Sequence, residues 1–60
     1  MYYEINIALH GKHLFATADG SITTEWELVK VKKILEEKFP KEEGYQITVI
    51  KWEKIGHYID

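Results

Sequence analysis

YYEINIALHGKHLFATA, residues 2–18, is the stretch whose pattern decides the fold. Tyr3, Ile5, Ile7 and Leu9 fall on alternate positions, with Tyr2, Glu4, Asn6 and Ala8 between them. A period of two marks a strand with one buried face. His10-Gly11-Lys12 follows, and then a second extended run from His13 to Ala18. Glycine at this point permits the positive φ of a tight hairpin turn. A two-residue loop sets Ile7 opposite Leu14 and Ile5 opposite Ala16, so both strands turn apolar side chains to the same side. A three-residue loop destroys that match, and the hydrophobic pattern therefore selects the register.

Downstream, Asp19-Gly20-Ser21 is a turn cluster, and Thr24-Glu25-Trp26-Glu27 has the Thr-x-x-Glu spacing of a capping box. The threonine oxygen accepts from the Glu27 N–H, and Glu25 and Glu27 suit the positive end of the helix dipole. The spacing predicts a helix over residues 25–39, stopped by Pro40. At about 100° per residue, Leu28, Val31, Leu35 and Phe39 form one apolar stripe, with Ile34 on its shoulder. Lys41-Glu42-Glu43-Gly44 connects to a third strand over residues 45–53. There Tyr45, Ile47 and Val49 share one face, and Thr48, Ile50 and Trp52 the other. For the tail, residues 55–60, three fates stand open: extending that strand, fraying, or reaching a neighbour.

The resulting expectation is a single α+β domain spanning residues 1–60: a two-layer ββαβ unit whose three-stranded antiparallel sheet has order 2-1-3. Its strands cover about 2–10, 13–18 and 45–53, with one helix packed on one face. Tyr3, Ile5, Ile7, Leu14, Ala16, Ile47 and Val49 make the face beneath the helix.

Composition narrows the function. Sixty residues bury a thin core, and folds of this size commonly need a staple. Cysteine is absent, which removes disulfides and thiolate zinc sites and leaves association with a second copy as the cheapest staple. The absence also fits the cytoplasm, where we expect the protein to reside. The formal charge is −2, and all eight basic residues are lysine. Arginine, which makes bidentate contacts to phosphate and guanine, is missing. No run approaches the roughly 18 apolar residues of a membrane span, and Met1-Tyr2-Tyr3-Glu4 lacks the basic flank of a secretory signal.

Catalytic motifs are missing too: the chain has no phosphate-binding glycine loop, nucleophile elbow or zincin signature. Glu36/Glu37 and Glu42/Glu43 read as solvated faces rather than acid–base pairs. His10 and His13 read as turn polarity, because a metal pair needs a third converging ligand. We expect neither an enzyme nor a bound cofactor or metal.

What remains is surface. The alternation places Ala8, Phe15, Ile50 and Trp52 on the reverse of the sheet, near Tyr2. An apolar patch on so small a chain marks an interaction surface: for a homodimer, for a foreign partner, or for local covering by the tail. Trp26, in the first helical turn, lies almost opposite the core stripe beside Val29, Lys30 and Lys33. It is either an interface anchor or packed on the loop before the helix. The candidate partner-binding residues are thus Tyr2, Phe15, Trp26, Val29, Lys30, Lys33, Ile50 and Trp52. The same aromatics, with Lys51 and Lys54, also suggest a stacking platform for single-stranded nucleic acid. Interleaved glutamates make such binding weak.

Gly11-Lys12-His13-Leu14-Phe15-Ala16-Thr17-Ala18, Ser21-Ile22-Thr23-Thr24, and Phe39-Pro40 leading to Gly44-Tyr45 resemble the sequences of small single-domain phage proteins. The element order is similar to that of the dimeric phage inhibitors of uracil-DNA glycosylase. This resemblance implies a compact protein that blocks a host enzyme, such as a repair glycosylase or a CRISPR-type defence nuclease, in the host cytoplasm.

Overall fold

The computed structural model describes residues 1–60. Its elements are β1 (Tyr2–Leu9), β2 (Lys12–Ala16), α1 (Glu25–Lys38), a 3-10 turn (Lys41–Glu43), β3 (Tyr45–Trp52) and β4 (Gly56–Tyr58). Together they form an α+β unit with one helix on an open antiparallel sheet of order β2-β1-β3-β4. Three strands were expected and four are present. The tail supplies the fourth: Ile50 pairs with Tyr58, Lys51 with His57, and Trp52 with Gly56. Two further bonds, Ile59 N to Val49 O (2.9 Å) and Val49 N to Asp60 O (3.0 Å), carry the pairing to Asp60. Asp60 also forms an ion pair with Lys32 of α1, which ties the tail to the helix.

The hairpin turn is the expected two-residue loop. His10 and Gly11 both take positive φ, 50° and 83°, the mirror-image turn whose twist matches that of the flanking strands. Leu9 pairs with Lys12 and Ala8 with His13, as that loop requires. The ladder then slips by one residue at Leu14, a β-bulge, so that Ile7 faces Phe15 and Asn6 faces Ala16. The expected Ile7–Leu14 and Ile5–Ala16 pairs are therefore replaced. Beyond the bulge, Thr17 closes onto Ile5 twice: its N–H donates to the Ile5 carbonyl (3.0 Å) and its Oγ1 accepts from the Ile5 N–H (3.0 Å).

On the opposite flank, β1 and β3 pair without interruption from Tyr2↔Trp52 to Leu9↔Tyr45. The fully buried core is Tyr3, Ile5, Ile7, Ile22 and Val49, with Leu28, Val31, Leu35, Phe39, Tyr45 and Ile47 packed against it. The helical stripe thus meets the sheet face that its spacing predicts. Ile22 enters this core from the loop before the helix, where its carbonyl accepts the Tyr3 N–H at 2.8 Å. Leu14, expected beneath the helix, is instead exposed, because the bulge takes it out of the ladder.

Thr24 caps α1, its Oγ1 accepting from Glu27 N at 3.1 Å. The Glu27 carboxylate accepts in return from the hydroxyls of Thr24 (3.1 Å) and Thr23 (3.2 Å). These donors hold the Glu27 carboxyl below its ordinary value, the Thr24 hydroxyl contributing most and the Thr23 hydroxyl next. The helix ends one residue short of expectation, with Phe39 as its C-cap donating to Leu35 O at 2.8 Å.

Candidate protein-interaction surface

The eight candidate residues separate into three groups. On the reverse of the sheet, Tyr2 and Trp52 sit opposite one another across β1 and β3. Their rings stack at 6.3 Å with planes 22° apart. The Trp52 indole N–H donates to the Glu4 carboxylate at 2.6 Å. Above the ring passes Gly56, so close that a Cβ there would lie 2.8 Å from the indole. The tail itself therefore covers Trp52, one of the three occupants weighed for this face. Ile50 is half-buried opposite Tyr58, whose own ring is 76% exposed. The Tyr2 hydroxyl titrates above its ordinary value, first through burial and then through the Asp19 carboxylate.

Phe15 stands apart from this group. The bulge shifts it by one position in the ladder, opposite Ile7, and its ring meets Phe39 of the helix C-terminus edge-on at 5.5 Å. Its expected place beside Ile50 and Trp52 is corrected on that ground: a one-residue slip moves a side chain to the other side of a sheet. Phe39 in turn meets Tyr45 at 5.2 Å, also edge-on. An aromatic row thus closes the C-terminal end of the helix over the sheet, with Phe15 left 40% exposed at its margin.

The third group lies on the outer face of α1. Trp26 is 72% exposed and Val29 67% exposed, so the indole does not pack on the preceding loop. Lys30 reaches over the indole ring, its Nζ 5.4 Å from the centroid, and exposed Lys33 follows one turn on. Glu25, Trp26, Val29 and Lys30 line a shallow open depression. The cap creates this arrangement: with Thr24 as N-cap, Trp26 is held in the first turn, about 160° around the helix from Leu28.

Of the eight candidates, then, Trp26, Val29, Lys30 and Lys33 form one continuous exposed face. Tyr2, Ile50 and Trp52 form a second, partly covered one, and Phe15 belongs to neither. Unforeseen from the residues alone were Tyr58 and Ile55, both largely exposed on and beside β4. Their only signal was apolar character in an unassigned tail. Comparison of the chain with protein families, with curated proteins and with solved structures gives no match.

Proposed function

We propose that this chain is a non-catalytic protein-binding module that docks through the outer face of α1, with Trp26 as its anchor. The exposure of Trp26 carries the reading. An indole left 72% in water contributes little to the fold, whereas a tryptophan buried in a partner's pocket is among the strongest interface contacts. Val29 extends the apolar contact along the helix, and Lys30 holds the ring in place from one side. Lys30 and Lys33 favour a partner that surrounds its apolar pocket with carboxylates.

Within that reading, the narrower proposal is an inhibitor of a host enzyme of the phage type, aimed at a repair glycosylase or a defence nuclease. The likeness in order of the chain's first two strands, helix and third strand to those inhibitors supports it by analogy, from which β4 departs. The stacking-platform alternative keeps Tyr2 and Trp52 on the reverse face but not Phe15, which turns toward the helix. Pairing of two copies through the reverse face is also weakened, because the tail already covers Trp52.

A photo-cross-linker at Val29 tests the docking face. In bacterial lysate we expect one discrete adduct, suppressed by excess unlabelled chain but not by excess Trp26→Ala chain. Equal competition by Trp26→Ala would refute docking through this face. Titration of the chain into uracil-excision and guide-directed cleavage assays tests the narrower proposal. Stoichiometric loss of either activity, reversed by Trp26→Ala, supports it; full activity in both removes it.

A further inference from the structure

The two flanks of the helix meet different edges of the sheet. Lys32 pairs with Asp60, so that flank of α1 turns to the tail. Ile34 lies about 160° around the helix from Lys32 and so turns to β2, at the opposite edge. Here the two layers leave an apolar seam. The bulge sets Leu14 and Phe15 together against Ile7, where a regular strand would send them to opposite faces. Phe15 meets the helix side through Phe39. Leu14, Phe15 and Ile34 are 43%, 40% and 45% exposed, and an apolar patch of this kind marks an interaction site.

β2 is an edge strand that continues at both ends into described residues, the hairpin turn and the loop before α1. Leu9 and Lys12 flank the two-residue turn and bond one another, so by alternation His13 sends its N–H and C=O away from β1. The rim of the seam is basic. Lys12 stands opposite Leu9 at one end, and Lys38 follows Ile34 by one helical turn. Both are exposed, and neither enters the ion pairs Lys32–Asp60 and Lys51–Glu53. Of the nearby helix carboxylates, Glu27 is engaged by the hydroxyls of Thr23 and Thr24, and Glu37 lies on the outer face, about 20° from Trp26.

We infer that this seam receives a short, extended, acidic segment of a partner protein. The segment bonds the main chain of His13, lays apolar side chains over Leu14, Phe15 and Ile34, and sets a carboxylate beside Lys12 and Lys38. Main-chain bonds to an edge strand supply affinity in this mode, and the side chains beside it select the sequence. The uncompensated lysines select the charge. They also disfavour a second copy, which would bring the same positive rim to this edge. Lys12 and the bulge bar a long strand, so pairing stays local to His13. The seam lies about 80° around α1 from Trp26, and each site can fail without the other.

The test begins with a displayed library of random linear heptapeptides selected on the intact chain. We expect enriched peptides to combine acidic with apolar residues. Their binding should weaken at high salt, slow hydrogen exchange at the His13 amide, and shift the NMR signals of Leu14 and Ile34. Leu14→Asn and Ile34→Asn should each weaken it about five- to tenfold, as for loss of a half-exposed apolar contact. Lys38→Glu should weaken it about two- to fivefold, as for an exposed charge, and Trp26→Ala leaves it unchanged. Lys38→Glu alters only an exposed side chain, so it decides the matter even where an asparagine variant unfolds. Four results would each overturn the inference: enrichment of neutral or basic peptides, failure of any peptide to enrich, shifts at Trp26 and Val29 instead, or capture of the seam by a single-stranded oligonucleotide that no peptide displaces.

Discussion

Gly56→Ala reads out the covering of Trp52 directly. The added Cβ would lie 2.8 Å from Cη2 and Cζ3 of the indole and 2.9 Å from Cε3. Ordinary carbon–carbon contact is about 3.5–4.0 Å, so the ring must withdraw by roughly 0.6–1.2 Å. It is not free to do so, since Glu4 holds the indole nitrogen at 2.6 Å and Tyr2 stacks on the ring. Forced repacking of this kind costs about 1–3 kcal/mol. Acting the other way, loss of glycine's freedom in the unfolded chain stabilises by about 0.4–1 kcal/mol; Gly56 is not among the glycines at positive φ, so alanine meets no backbone strain there. The net expectation is a loss of about 1–2 kcal/mol, from a total near 3–9 kcal/mol for sixty residues.

In a Trp52→Leu background the obstructing ring atoms are gone, and Gly56→Ala should become stabilising by about 0.4–1 kcal/mol. The change of sign is the diagnostic. Urea and thermal unfolding followed by circular dichroism measure all four chains of the cycle, each kcal/mol moving the midpoint by about 4–8 °C. A coupling near zero, with Gly56→Ala equally tolerated in both backgrounds, would show that the tail does not cover the indole. The reverse face would then regain its claim as an interface.

Three other outcomes follow from the same geometry. Thr24→Ala should cost about 1 kcal/mol by chemical denaturation, through loss of the N-cap. It should also flatten the acid limb of the stability profile. The Glu27 carboxyl is held low in the folded chain, so its contribution is present above the ordinary glutamate range and is lost as pH falls through the folded value. An unchanged acid limb in Thr24→Ala counts against that assignment. Asn6→Val should stabilise by about 1 kcal/mol, because the Asn6 Nδ2 is buried without a partner and valine suits a strand; a loss of stability would mean the amide is bonded after all. Trp26→Ala should change the unfolding free energy by less than about 0.5 kcal/mol, as for a surface side chain, and a large loss would place the indole in the fold rather than at an interface.

Much of this architecture is legible in local pattern. Alternation in residues 2–9, the positive-φ glycine at 11, the Thr-x-x-Glu cap and Pro40 each act over a few residues. Each places its element to within one or two positions of the observed bounds. The outward position of Trp26 is equally local, because an α-helix fixes the angle between Trp26 and Leu28 once Thr24 starts it. For the candidate surface, this made the exposed helix face readable from spacing alone.

Phe15, Ile22 and the tail obey longer-range rules. A bulge at Leu14 costs ladder regularity locally and is repaid only where Phe15 meets Phe39, twenty-four positions away in the chain. Ile22 is a loop residue until Tyr3 takes its carbonyl. Gly56 has no strand signal of its own, yet only a residue without a side chain fits so close above Trp52. Periodicity and capping therefore determined which segments are strands and which is helix, because those forces act between near neighbours. Which face Phe15 joins and what covers Trp52 were decided only in three dimensions, where segments distant in the chain compete for the same surface.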